Sequence, residues 1–291
     1  MSGEVRGRKV IESLAARFPQ LYVAPAEGAQ EAHRLAAGRG IAPDGANLDH
    51  FAVDDEDLLR AVDTPAGPVE VVFLKRREDF ETLLQIIGNK SQPVPIARTI
   101  GAITYRGIPD WGKVAAAKES YLAAGGDDWG SEFARLAKEP GAFRAELVVI
   151  SEGPYSNIPA SATPFGEDKW LPVSREIRLH HECAHVVCRR TMPDNVQPVW
   201  DEVTADVVGL LCATRAYDAR LAALFLGVSA DGFTGGRLSE YLDDDQKSRI
   251  DEVAAEVYAA LQRIELMCGD VEAADPFGFL LRLKEAPLVQ Y

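Results

Sequence analysis

The sequence predicts an α+β fold, with sheet-forming segments first and helices afterwards. Its first half carries β-branched runs such as Val69-Glu-Val-Val-Phe-Leu74 and Leu147-Val-Val-Ile150 between short helical patterns. From Ser174 onward the apolar spacing turns almost wholly helical. No internal repeat or low-complexity tract interrupts this order. A chain of 291 residues can bury enough surface for one large domain or two joined lobes.

Taken in order, residues 9–18 and 27–38 read as short helices, and Gly38 to Gly45 as a loop. Pro65, Gly67 and Pro68 punctuate before the strand Val69 to Leu74. Phe80, Leu83, Leu84 and Ile87 then follow at helical spacing, and Gly88 with Asn89 supplies a stop. Ile96 to Tyr105 reads as a second strand, Lys113 to Ala124 as a helix, and Ala145 to Ile150 as a buried strand. Gly153 to Val173, with Pro154, Pro159, Pro164 and Pro172, reads as a long functional or mobile loop. Helices are expected over Ser174–Arg190, with Ser174 able to cap its start, over Gln197–Cys212 and over Asp245–Met267, the last being core scaffold. The expected division is an N-terminal helical segment (1–65), a sheet lobe (66–191) and a helical lobe (192–291).

Composition narrows the function. Lys and Arg number 31 against 45 Asp and Glu, a net charge of −14. A field of that sign repels nucleic acid and anionic membrane surfaces, so neither is expected as a partner. Glu4, Arg6, Arg8, Lys9 and Glu12 interrupt any apolar core of a signal peptide, and no run is long enough to span a membrane. Cys183, Cys188, Cys212 and Cys268 are too few and too irregular for a disulfide framework. A cytoplasmic protein is expected.

Chemistry concentrates in His181-Glu182-Cys183-Ala184-His185, a match to H-E-x-x-H inside the first predicted C-terminal helix. Residues four apart on a helix share a face, so both imidazoles can converge on one metal ion. Glu182 lies about 100° around the helix, where it can reach a water at the metal without becoming an equal ligand. On the next helix Glu202 and Asp206, also four apart, flank the stripe Val199, Val203, Val207, Leu210 and Leu211. Two carboxylates so placed repel each other unless a cation or a paired His reverses the sign. His-His-Glu is one of the ligand sets of catalytic zinc.

These paired motifs, within residues 180–207, resemble the gluzincin zinc metallopeptidases, of which thermolysin is the familiar member. The resemblance implies a zincin-like fold, an upper sheet lobe and a lower helical lobe with the active-site helix between them. It implies zinc held by His181, His185 and Glu202, with Glu182 as general base in peptide hydrolysis. It also implies Asp206 behind the metal, orienting His181. The strand Ala145 to Ile150 would offer the edge on which an extended peptide pairs, with Tyr155 to Asn157 lining the cleft. The sequence departs from the family in three places: Asp201 stands where relatives have Asn, no histidine follows His185, and the step from His185 to Glu202 is short.

Arg237 and Tyr241, four apart after a Gly-rich loop, are the candidate donors to a developing oxyanion, against the plain alternative of a surface Arg and a half-buried Tyr. Two other readings of the motif stand beside catalysis. His181 and His185 can be core histidines satisfied by Glu202 and Asp206, or ligands of a zinc-binding regulatory or structural module without turnover. A non-peptide amidohydrolase would share every zinc residue. Cys188 shares the His stripe but sits about 10.5 Å along the axis from His181, too far for one ion, and reads as a small buried hydrophobe.

Overall fold

A computed structural model describes residues 3–288. The chain forms two compact units, Met1–Val62 with Glu70–Ser151, and Asp63–Val69 with Glu152–Tyr291. The fold is α+β, as expected. The units cut across the expected division: the H-E-x-x-H helix belongs with the helices that follow it, not with the sheet. Among the described residues no helix is long and apolar enough to cross a membrane.

The first unit contains β1 (Val5–Arg6), α1 (Arg8–Arg17), α2 (Gln30–Arg39), β2 (Leu58–Val62), β3 (Val69–Leu74), α3 (Arg77–Ile87), β4 (Ala102–Pro109), α4 (Trp111–Ala123), α5 (Trp129–Leu136) and β5 (Arg144–Ser151). Its sheet runs β1-β2-β3-β5-β4. β5 pairs in parallel with β3, Val71 opposite Val148, and antiparallel with β4. Parallel pairing needs cover on both faces, which explains the unbroken apolar run Leu147 to Ile150. Val10, Ile11 and Leu14 of α1 and Phe80, Leu83 and Leu84 of α3 pack with Val72, Leu74, Leu147 and Val149 in one core.

Two expectations fail in this unit. β5 has neighbours on both sides, so Ala145 to Ile150 offers no free edge to a peptide; β1 and β4 are the edge strands. The strand expected at Ile96 to Tyr105 starts at Ala102 instead, because Ala97 to Ile100 close a turn (Ile100 N–H to the Ala97 carbonyl, 3.0 Å) whose carbonyls accept from Arg77. β1 and β2 are too short to show a period, and the sequence gives no sign of them.

In the second unit α6 (Glu167–Thr191) and α7 (Pro198–Thr214) lead, followed by α8 (Ala219–Leu226), the hairpin β6 (Val228–Ser229) and β7 (Gly232–Phe233), α9 (Asp244–Ser248), α10 (Ile250–Met267), α11 (Asp270–Ala274) and α12 (Pro276–Glu285). α6 starts before Ser174, so the expected loop is shorter, ending at Gly166. Pro172 lies in the second turn, where its missing N–H forfeits a single helical bond. Trp170 repays that loss: it is buried, donates its indole N–H to the Ile158 carbonyl at 2.7 Å and stacks on Phe165. Ser174 is not a cap; its hydroxyl accepts the Tyr155 N–H at 3.0 Å. The helix expected at Asp245–Met267 is two helices, broken at Arg249, whose φ and ψ are not helical.

α6 and α7 run antiparallel in close contact, and a glycine permits it. A Cβ on Gly209 would lie 2.8 Å from the Ile177 carbonyl oxygen. The start of α7 is clamped to α12: Trp200 donates to the Leu283 carbonyl at 2.9 Å, and the buried Lys284 ammonium pairs with Asp201. That pair accounts for an acid at position 201. Gly209→Ala should force the two helices apart and cost roughly 1–3 kcal/mol of stability. Denaturant titration of the variant measures this, and an unchanged midpoint would show that the helices have slack.

Candidate metal centre

The packing of α6 on α7 sets three possible ligand atoms around one point. His181 Nε2 and His185 Nε2 are 3.0 Å apart. Glu202 Oε2 lies 3.3 Å from His181 Nε2, and Oε1 lies 3.2 Å from His185 Nε2. Among the described residues, these three side chains form the group of His, Cys, Asp and Glu able to hold a metal ion. Ligand atoms about 2.0–2.1 Å from a tetrahedral zinc ion lie about 3.3 Å from one another, so the donor set fits such an ion.

Asp206 stands behind this point. It is wholly buried, and its Oδ1 lies 2.9 Å from His181 Nδ1. An ionised carboxylate only accepts, so Nδ1 carries a proton and Nε2 is the nitrogen turned towards His185 and Glu202. Tyr155 donates its hydroxyl to the same Oδ1 at 2.5 Å and stands 2.9 Å from His181 Nδ1. Arg237 Nη2 donates to Oδ2 at 2.6 Å, with its guanidinium 4.9 Å above the Tyr155 ring.

Burial opposes charge on every one of these groups, and their contacts reverse it. Desolvation pushes the Asp206 carboxyl up, but Arg237, His181 and Tyr155 together hold it below its ordinary value. Burial likewise disfavours a charged Glu202, yet hydrogen bonds from His181 and His185 keep it well below the carboxylate range. Burial lowers the His181 pKa, while Asp206 and Glu202 outweigh that and raise it to about 9. The centre is a field built for a cation, proton or metal.

Glu182 is half-buried on α6 beside His181. Arg237 and Tyr241 do not share a helical face, because Arg237–Glu240 is a short 3-10 turn and Tyr241 is its cap. Arg237 is committed to Asp206, with Nη1 at 3.7 Å from Glu202, and so acts as a tether rather than as a ready oxyanion donor. Tyr241 is half-buried; desolvation keeps its phenol protonated far above neutral pH, and a hydrogen bond to Glu202 adds to this. Cys188 lies away from the centre in the apolar contact of Ala184, Val187 and Leu280, and burial raises its thiol to about 11.

Tyr155 is the residue that sequence reading placed only as a cleft lining. Three contacts pin the turn that carries it: the bond to Ser174, and Arg178 donating to the Gly153 and Pro154 carbonyls at 3.4 and 3.3 Å. Ser156 and Asn157 then take left-handed φ values of 51° and 57°. The proline-rich stretch ahead of the motif was the available signal. Tyr155→Phe removes one donor from a buried carboxylate, an expected cost of about 1.5–3 kcal/mol in stability. A metal ion held through His181 would be bound more weakly in the same variant, by less than the 10–100-fold expected of Asp206→Asn. Competition titration with a chromogenic chelator ranks the two, and a Tyr155→Phe protein matching wild type in both properties would remove Tyr155 from the network.

No curated protein and no solved structure matches the chain. Residues 4–272 match DUF7005, described as a family of unknown function. As that match spans well over half of the sequence, the chain belongs to the DUF7005 family.

Proposed function

We propose that the protein is a zinc-dependent hydrolase of amide bonds, a metallopeptidase of the gluzincin type with a zincin-like helical core. One observation carries this. With His181 Nδ1–H given to Asp206, two imidazole nitrogens stand 3.0 Å apart, each with one Glu202 carboxylate oxygen at 3.2–3.3 Å, a donor set that suits one shared cation. Three protein ligands with a further position left open are the pattern of catalytic rather than structural zinc.

Zinc, when bound, supplies a Lewis acid strong enough to make water a nucleophile near neutral pH. His181, His185 and Glu202 hold the ion, and Asp206 with Tyr155 and Arg237 holds His181 in its tautomer. Glu182 takes the proton of the attacking water and returns it to the leaving amine. With Arg237 tied to Asp206, Tyr241 is the phenol left to donate towards a carbonyl oxygen that gains charge. Peptides and other amides would be served alike by these groups. The four free cysteines suit the reducing cytoplasm proposed as its setting.

Metal analysis should find about one zinc per chain, largely lost in His185→Ala. Glu182→Gln should keep the fold and the zinc but lose at least about 10²-fold of amide hydrolysis, measured on a peptide library with and without chelator. Equal zinc in wild type and His185→Ala would sink the metal site. Full activity in Glu182→Gln would reject the base, and a zinc-loaded wild type inert on every amide would make the centre a regulatory or structural one.

A further inference from the structure

The first unit contains a cavity that the hydrolase chemistry leaves unused. It measures about 540 Å³ and is lined by Gln30, His33 and Arg34 of α2, by Lys90 and Gln92 after α3, and by Pro109 at the end of β4. In a chain with 45 carboxylates, none lines it. Arg34 is paired with Glu31 at 2.6 Å, but the Lys90 ammonium has no ion pair among the described residues. His33 is 8% exposed; Nδ1 faces the Ser91 hydroxyl at 3.1 Å, and Nε2 has no protein partner.

The backbone here is held in a costly shape. Lys90 and Ser91 are consecutive non-glycine residues at φ 53° and 60°. Such a conformation persists only where the surroundings impose it. They do: the Ser91 N–H donates to the Gln85 carbonyl at 2.9 Å, its own carbonyl accepts from Ala26 at 3.0 Å, and its side chain holds His33. An exposed lysine and a buried imidazole, the latter fixed by Ser91, thus line the same cavity.

Gly38, exposed in the last turn of α2, lines the same cavity, and a Cβ there would meet no atom within 4 Å, so the position leaves the cavity open. Ala37, Gly38 and Pro109 also line an adjoining cavity of about 370 Å³, which mixes Trp111, Phe133 and Phe143 with the charged Asp110, Lys138, Glu139 and Arg144. The apolar rings there suit the body of a small amphiphile whose anionic group meets Lys90. Pockets of this size accept small organic ligands.

We infer that this cavity binds a small organic anion, a carboxylate or phosphate monoester on an apolar body, with the anionic group between Lys90 and His33 and the body along Gly38. Burial and Lys90 lower the His33 pKa in the free protein; a bound anion opposes both effects, so binding raises it. The site does not depend on the metal reading.

The test uses the full chain and three probes of one length: hexanoate, hexyl phosphate and uncharged hexanol. Calorimetry should show saturable binding of at least one anion with a Kd below about 1 mM, and none of hexanol. Comparison of the two anions tells carboxylate from phosphate. The proton shift of the His33 ring should titrate at higher pH when the anion is present. Lys90→Met should weaken binding about tenfold or more. Gly38→Leu should abolish it while thermal melting stays at or above that of wild type, since the helix loses a glycine. Hexanol binding as tightly as the anions, no saturable binding of either anion, or unchanged binding in a folded Gly38→Leu protein would each overturn the site.

Discussion

A carboxylate removed from water stays ionised only where donors replace its hydration, and Asp206 has three: His181, Tyr155 and Arg237. Everything at the centre follows from that requirement. The charge of Asp206 fixes a proton on His181 Nδ1, and that bond leaves Nε2 as the nitrogen facing His185 and Glu202. Without it the ring is free to present the wrong nitrogen, and the convergence with His185 and Glu202 loses its meaning. Each donor comes from a different stretch of chain: α6, the turn after β5, and the short 3-10 turn before α9. Their agreement on one carboxylate ties those segments together as firmly as the apolar core does.

Backbone spacing makes the arrangement possible. The reach from α7 to α6 is short enough for a glutamate and an aspartate to meet two histidines because Gly209 lets the backbones approach. α7 is held in register along its axis from its first turn, where Asp201 meets the buried Lys284 and Trp200 meets the α12 backbone. Removing either partner of the buried ion pair would leave an uncompensated charge, so the pair is costly to break whatever its net contribution. The acid at 201, a departure from the thermolysin pattern, is thus a fastening of this fold and has no part in the chemistry.

What the sequence made legible was whatever a helix encodes by period. His181 with His185 and Glu202 with Asp206 are both i, i+4 pairs, so each shares a face before any tertiary contact is known. The stripe Val199, Val203, Val207 predicted which side of α7 turns inward, and all three are buried. Tyr155 had no such signal. Its role comes from a turn pinned by Ser174 and Arg178, contacts set by tertiary placement. The same cause misread Ser174, which looks like a cap next to Pro172 and instead serves that turn. Arg237 was found as a residue but misjudged in role, since four-residue spacing implies a shared face only if the segment is an α-helix. The edge assigned to β5 failed because strand order is invisible in a single strand's composition.

Glycine carries opposite meanings at two positions of the chain. At Gly209 the absent side chain is filled at once by the backbone of the next helix, and the gain is contact. At Gly38 nothing fills it, and the position leaves the cavity open. An unfilled space beside an unpaired lysine and a half-satisfied imidazole is not a saving in a marginally stable protein. The two proposed sites are opposite in sign. The first gathers imidazoles and a carboxylate that suit a cation, and the second sets a lysine and an imidazole where an anion would suit both.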